Sequence, residues 1–158
     1  MRIHYSNTPF KIDVHSIFLV GPTPRDKKVP SWRPRALEIL KDMKYEGGVY
    51  VPEWDTFAPR VDYDAQVEWE LAGLDICRAI AAWVPRELEK MPAFTTNVEF
   101  GRYVDSKRLF YGRPDGAPST RYLDHLYRKV TRRDPKASLE ELLGECVQRV
   151  NNWQELPE

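Results

Sequence analysis

A largely apolar run, Ile76 to Val84 (I-C-R-A-I-A-A-W-V), is closed by Pro85 and followed after a loop by T-T-N-V-E-F-G at Thr95–Gly101. Apolar character at successive positions marks a strand buried on both faces. The stretch after it has the look of a helix that begins near a carboxylate. Strand, loop and acid-bearing helix in that order constrain the chain to an α/β fold. In such folds this is how a nucleophile reaches the carboxyl edge of the sheet. An earlier segment, Ile17 to Pro24 (I-F-L-V-G-P-T-P), ends another strand in a Gly-Pro turn at the same edge. Together they imply a small enzyme with a cleft across its strand ends.

The rest of the chain alternates in the same way. An edge strand is expected around Ile3–Tyr5, and a buried strand at Ser16–Val20. Ser31 reads as an N-cap, with Pro34 in the first turn of a helix that runs to about Met43 and buries Ala36, Leu37 and Leu40. Gly47-Gly48 leads into a strand at Val49–Val51. Val67, Leu71 and Leu74 recur at helical spacing in Tyr63 to about Leu74. A helix from about Thr95 to Val104 and a strand at Arg108–Tyr111 follow. Two terminal helices, Tyr122–Val130 and Ser138–Val150, complete the chain, the second opened by a capping box of Ser138 and Glu141.

Strands alternating with helices predict a flavodoxin-like doubly wound, mostly parallel sheet of about five strands with flanking helices. No repeat, low-complexity tract or linker divides residues 1–158, so a single domain is expected. Ligands of such sheets bind beyond the carboxyl ends of the strands. Gly21–Pro24, Glu53–Pro59, Pro85–Glu99 and Gly112–Pro118 should gather there.

Composition narrows the partners. Lys plus Arg and Asp plus Glu number 24 each, which argues against polymeric nucleic acid but leaves room for a single nucleotide. Two lone cysteines, Cys77 and Cys146, without metal-type spacing favour a reduced, cytoplasmic setting. The apolar runs are far below the ~20 residues of a membrane span, so no membrane partner is expected. His4, His15 and His125 are scattered, so neither a metal site nor a cofactor is expected.

At this point the residues resemble the nucleoside 2-deoxyribosyltransferase-like family. The resemblance rests on I-F-L-V-G-P-T-P-R followed by P-S-W-R-P, on Q-V-E-W-E at Gln66–Glu70, and on the Leu74-Asp75-Ile76 turn. Its fourth piece is T-T-N-V-E-F-G, followed by Lys107 and a strand ending in Gly112. These pieces lie in family order across roughly residues 15–125. The resemblance implies cleavage of the N-glycosidic bond of a 2-deoxynucleoside or its 5′-monophosphate. The sugar is held covalently on a Glu and passed to another base or to water. Glu99 matches that nucleophile, and Asp75 matches an acid lining the base and sugar site. The family resemblance also implies a homo-oligomer.

Two positions depart from the family pattern. Phe18 stands where many members carry a Tyr, and Ala93 stands where transferases often carry an Asp six residues before the Glu. Leaving-group protonation therefore has no assigned residue, and Asp55 is one alternative.

The chemistry asks for the same pair on its own terms. Cleaving an N-glycoside builds positive charge on the sugar, which one carboxylate captures while a second group protonates the base. Glu99 and Asp75 are the expected pair, both placed at the carboxyl edge. The plain alternatives are a helix-start acid for Glu99 and a helix-terminating residue for Asp75. Thr95 and Thr96 either cap the following helix or hold a 5′-phosphate. Thr23 and Arg25 are a second candidate phosphate contact, with Lys27 and Lys28 nearby, whose plain alternative is a solvated basic loop. Trp54 is the candidate for stacking on a base, whereas Trp69 and Trp83 read as core. Asp55, Gln66, Asn97, Gly21 and Gly112 complete the expected substrate-binding set. Two other readings stay open: a non-catalytic nucleotide-binding module on the same fold, and an N-glycosidase acting on a dinucleotide cofactor.

Overall fold

The structure, a computed structural model, describes residues 1–26 and 28–152. Lys27 of the basic loop lies outside the described residues. In chain order the elements are β1 (Arg2–Tyr5), β2 (Ser16–Val20), α1 (Arg33–Asp42), β3 (Gly48–Val51) and α2 (Tyr63–Ile76). They continue with β4 (Ala79–Trp83), α3 (Phe94–Tyr103), β5 (Leu109–Gly112), α4 (Arg121–Thr131) and α5 (Leu139–Asn151). The strands form one sheet in the order β1-β3-β2-β4-β5, and every pairing is parallel.

The apolar strands follow from this burial. Side chains alternate across a strand, so β2 to β5, buried at every position, are largely apolar on both faces, whereas the edge strand β1 (Arg2-Ile3-His4-Tyr5) is not. Ile17 and Leu19 of β2 and Ala79, Ala81 and Trp83 of β4 share one core with α1 and α5. Phe18, Val20, Ile80 and Ala82 share the other with α2, α3 and α4. The apolar face of α5 packs on its own sheet: Leu139, Leu142, Leu143 and Val150 are buried there, and Val147 is partly buried. Both cysteines are free and buried.

The topology also fixes where a ligand fits. From β2 the chain crosses through α1 to β3 on one side, then through α2 back past β2 to β4 on the other. The connections leaving β2 and β4 therefore diverge, which opens a crevice at their carboxyl ends.

Element boundaries differ from expectation in ways that bear on the site. The strand expected from Ile76 begins only at Ala79. Ile76 is the last residue of α2, and Cys77 caps that helix with its N–H on the Gly73 carbonyl. A run of apolar residues does not distinguish the end of a buried helix from the start of a buried strand. Strand β5 is shifted by one residue and ends at Gly112. Helix α1 has Trp32, not Ser31, at its N-cap, although Ser31 Oγ accepts from the Arg33 N–H at 3.2 Å. Helix α3 begins at Phe94, with Ala93 at the cap in a left-handed conformation (φ 61°). Thr95 and Thr96 therefore sit inside the first turn and do not cap it. The capping box of α5 forms through Ser138 Oγ, which accepts from the Glu141 N–H.

Candidate active site

Helices α2 and α3 stand side by side on one face of the sheet, and a cavity of about 460 Å³ lies between them. Its mouth is at the crevice beyond β2, where Gly21, Thr23 and Arg25 line it. One wall is the α2 face made by Tyr63, Gln66, Val67, Glu70, Leu71 and Leu74, residues that recur at helical spacing. The facing wall comes from α3 and includes Thr95, Thr96, Val98, Glu99, Arg102 and Tyr103.

Arg33 builds the mouth. It is 1% exposed and lies at the start of α1, directly beneath the β2 turn. Its Nη2 donates to the Gly21 carbonyl at 2.6 Å and its Nε to the Leu19 carbonyl at 3.2 Å. Its Nη1 reaches Thr23 Oγ1 at 3.0 Å and the Glu53 carboxylate at 2.7 Å. A buried guanidinium needs such a set of acceptors, because an unpaired one is costly to desolvate. Two of these acceptors, the Gly21 carbonyl and Thr23 Oγ1, belong to the turn, so the charge ties the loop to the end of β2 and to Glu53. Gly21 has no room for a side chain. A Cβ there would lie 2.3 Å from the Trp83 carbonyl oxygen and 2.7 Å from the Trp32 ring.

Two carboxyl groups face this cavity without an ion-pair partner among the described residues. Glu99, half-buried on α3, is pushed up to about 8 by burial and by the charge of Glu70, against the pull of Arg33. Glu70 is likewise raised by burial, and is restrained by a hydrogen bond from Gln66 and by Arg33. Gln66 is oriented from outside. The Trp54 indole N–H can only donate, and it donates to Gln66 Oε1 at 3.0 Å. That turns the Gln66 amide N–H toward Glu70 Oε1 at 2.8 Å.

A family profile described as nucleoside 2-deoxyribosyltransferase like matches residues 14–116, well over half of the chain. The chain belongs to the nucleoside 2-deoxyribosyltransferase-like family. No curated protein matches it. The match runs from just before β2 to the loop after β5, so it contains both walls of the cavity. Membership supports a related glycosyl-transfer role on a small nucleoside substrate. Among the described residues no helix is long and apolar enough to cross a membrane.

Of the residues singled out in the sequence, the cavity brings together Gly21, Thr23, Arg25, Gln66, Thr95, Thr96 and Glu99. Of the rest, all but Ala93 lie elsewhere. Asp75 is in the last turn of α2, where the chain enters the amino end of β4, and not at the carboxyl edge. It is 56% exposed, accepts from the Tyr103 hydroxyl at 2.6 Å and lies 3.6 Å from Arg102. Trp54 is outside the wall and touches the cavity only through Gln66. Asp55 turns its own loop by accepting the Phe57 N–H. Asn97 accepts from Arg86. Gly112 packs against Trp83 and the Lys136 carbonyl, which would lie 2.8 Å from a Cβ. Phe18 is fully buried against Tyr50 and Trp69. Ala93 lines the cavity and offers no acid there.

Sequence reasoning passed over Arg33 and Glu70. Both stand inside quoted motifs, P-S-W-R-P and Q-V-E-W-E. The available signal for Glu70 was its place on the stripe of Val67, Leu71 and Leu74, one turn beyond Gln66.

Proposed function

We propose that this protein cleaves or exchanges the N-glycosidic bond of a (deoxy)nucleoside or nucleoside 5′-monophosphate, with Glu99 as the nucleophile. The observation that carries the reading is a desolvated carboxyl, free of any hydrogen-bond partner among the described residues, on the wall of a cavity at the switch point of the sheet. Family membership supports it independently. A Glu99 oxygen attacks the anomeric carbon as the bond to the base breaks, giving a covalent glycosyl-enzyme ester. Water or a second base then takes the sugar. Burial serves this chemistry because a poorly solvated carboxylate meets the positive charge that develops on the sugar without the screening of water.

A 5′-phosphate has a natural place at the start of α3. The first N–H groups of a helix have no carbonyl partner within it, and they favour an anion. Thr95 and Thr96 lie in that turn and line the cavity, with Thr23 and Arg25 opposite.

Incubation with a panel of nucleosides and nucleotides, followed by chromatography of free base, tests the reading. Glu99→Gln keeps the shape of the side chain and removes the nucleophile. Turnover should fall at least ~100-fold while the variant stays folded. Binding of the panel without release of base would favour a non-catalytic nucleotide-binding module instead. Near-normal turnover in Glu99→Gln would end the assignment.

A further inference from the structure

We infer that Glu70 is the general acid of this site, carrying to the departing base the proton that no residue at Ala93 or Phe18 can supply. The inference rests on the reading of Glu99 as nucleophile. Three observations carry it. Glu70 lines the same cavity as Glu99, on the opposite wall, so a sugar seated between α2 and α3 has a carboxyl on each side. Its two oxygens are unequal. Oε1 accepts the Gln66 amide at 2.8 Å, while Oε2 makes no hydrogen bond among the described residues. The orientation of Gln66 is set by Trp54, so Oε1 is held as the acceptor and Oε2 is left to carry a proton into the cavity.

Electrostatics agree with that division. Two carboxyl groups sharing one desolvated space repel, so one proton is retained between them. Charge developing on the sugar stabilises the form in which Glu99 is ionised and Glu70 holds the proton. The step then balances. The bond from a Glu99 oxygen to the anomeric carbon forms as the carbon–nitrogen bond breaks. The electron pair of that bond goes to the base nitrogen. The Glu70 proton goes to the base and leaves Glu70 as the carboxylate. In the second step Glu70 takes a proton from the attacking water or incoming base, which restores the resting state.

The alternative acids of the sequence are poorly placed for this. Asp75 is not on the cavity wall, and its carboxylate is engaged by two wall residues, Tyr103 and Arg102. Asp55 accepts an N–H of its own loop and is also outside the wall.

The test uses the leaving group. Purine and pyrimidine nucleosides, each as riboside, deoxyriboside and 5′-monophosphate, are paired with activated analogues of the same sugar. The analogues are N7-methylguanine, which departs neutral without added proton, and 5-nitrouracil, which departs readily as an anion. Glu70→Gln should lower kcat on unactivated compounds by at least ~100-fold, the size of a general-acid contribution. On the activated partners the loss should be under ~5-fold. Glu99→Gln should slow both classes alike. Glu70→Ala should regain part of its rate on unactivated compounds when formate is added.

Equal losses on activated and unactivated compounds, without formate rescue, would overturn the role of Glu70 and leave Glu99 standing. Absence of free base from every compound with the unaltered protein would overturn both assignments. Circular dichroism of each variant separates loss of fold from loss of chemistry. An unfolded Glu70→Gln with a folded but unrescued Glu70→Ala also counts against the inference.

Discussion

On one face of the sheet, α1 and α5 close over Ile17, Leu19 and Ala81 with Leu40, Leu142 and Leu143, leaving an apolar core. On the other, α2 and α3 lie over Phe18, Val20 and Ile80 and leave a cavity lined by two carboxyls between them. The same strands supply both faces, so the difference comes from the helices. Helix α5 presents leucines to the sheet, whereas α2 interrupts its apolar stripe with Gln66 and Glu70. Acids elsewhere in the molecule sharpen the contrast. Asp13, despite its burial, is brought below the usual carboxylate range by hydrogen bonds from Arg2 and His4. Asp124 is brought down in the same way by Arg113 and Tyr111. These acids are paired and lowered, as structural carboxylates are. Glu70 and Glu99 are raised and keep no ion-pair partner among the described residues, an environment that supports the proton- and bond-transfer roles proposed for them.

The division of labour between the faces breaks most visibly in the closed core. Leu143→Ala removes a fully buried side chain and should cost about 2–5 kcal/mol of stability. Denaturant titration reads that loss, and the rate per folded molecule should stay unchanged. A parallel loss of kcat in folded protein would mean that the α1/α5 face is part of the catalytic unit.

The titration of Glu99 sharpens the other side of the comparison. In the proposed mechanism the reactive form has Glu99 ionised and Glu70 protonated, so kcat/KM should rise with pH as the pair loses its first proton and fall above about 8 as it loses the second. Stability should fall across the rising limb. The raised carboxyl binds more protons in the folded state than in the unfolded chain. Its contribution is therefore present below the ordinary value of 4.5 and is lost as pH rises to about 8. Glu99→Gln should flatten the stability profile in that window. A rate limb and a stability slope both confined to pH below 5 would place Glu99 with Asp13 and Asp124 as a structural acid.

The smallest expected effect concerns the mouth. A nucleoside 5′-monophosphate should bind about 3–10-fold more tightly than its nucleoside at low salt, and Arg25→Ala should erase most of that difference. Calorimetric titration of both ligands measures it. Equal affinities for the unaltered protein would remove the phosphate from the α3 start.

Much of this was legible in the chain. Apolar strands between helices specify a parallel sheet covered on both faces, and the T-T-N-V-E-F-G stretch singled out Glu99, which α3 brings to the cavity wall. The supporting residues were harder to read. Glu70 on an amphipathic helix is indistinguishable, by spacing, from a solvated acid. Only the position of α3 across the cavity makes it otherwise. Arg33 at a helix start reads as surface charge until the Gly21 turn is seen to lie over it. Asp75 misled because the helix runs through Ile76, and helix and strand order place such a residue at the amino end of β4.

The central claim is a covalent bond between Glu99 and the sugar. A nucleoside carrying fluorine at C2′ of the sugar slows formation and breakdown of an oxocarbenium-like transition state, and an activated base restores formation alone, so the intermediate accumulates. Intact-protein mass spectrometry after incubation with such a compound, followed by peptide mapping, is the direct measurement. The account predicts one fluorosugar per chain, on the peptide containing Glu99, and none in Glu99→Gln. Release of base with no adduct, or an adduct on another residue, would contradict it.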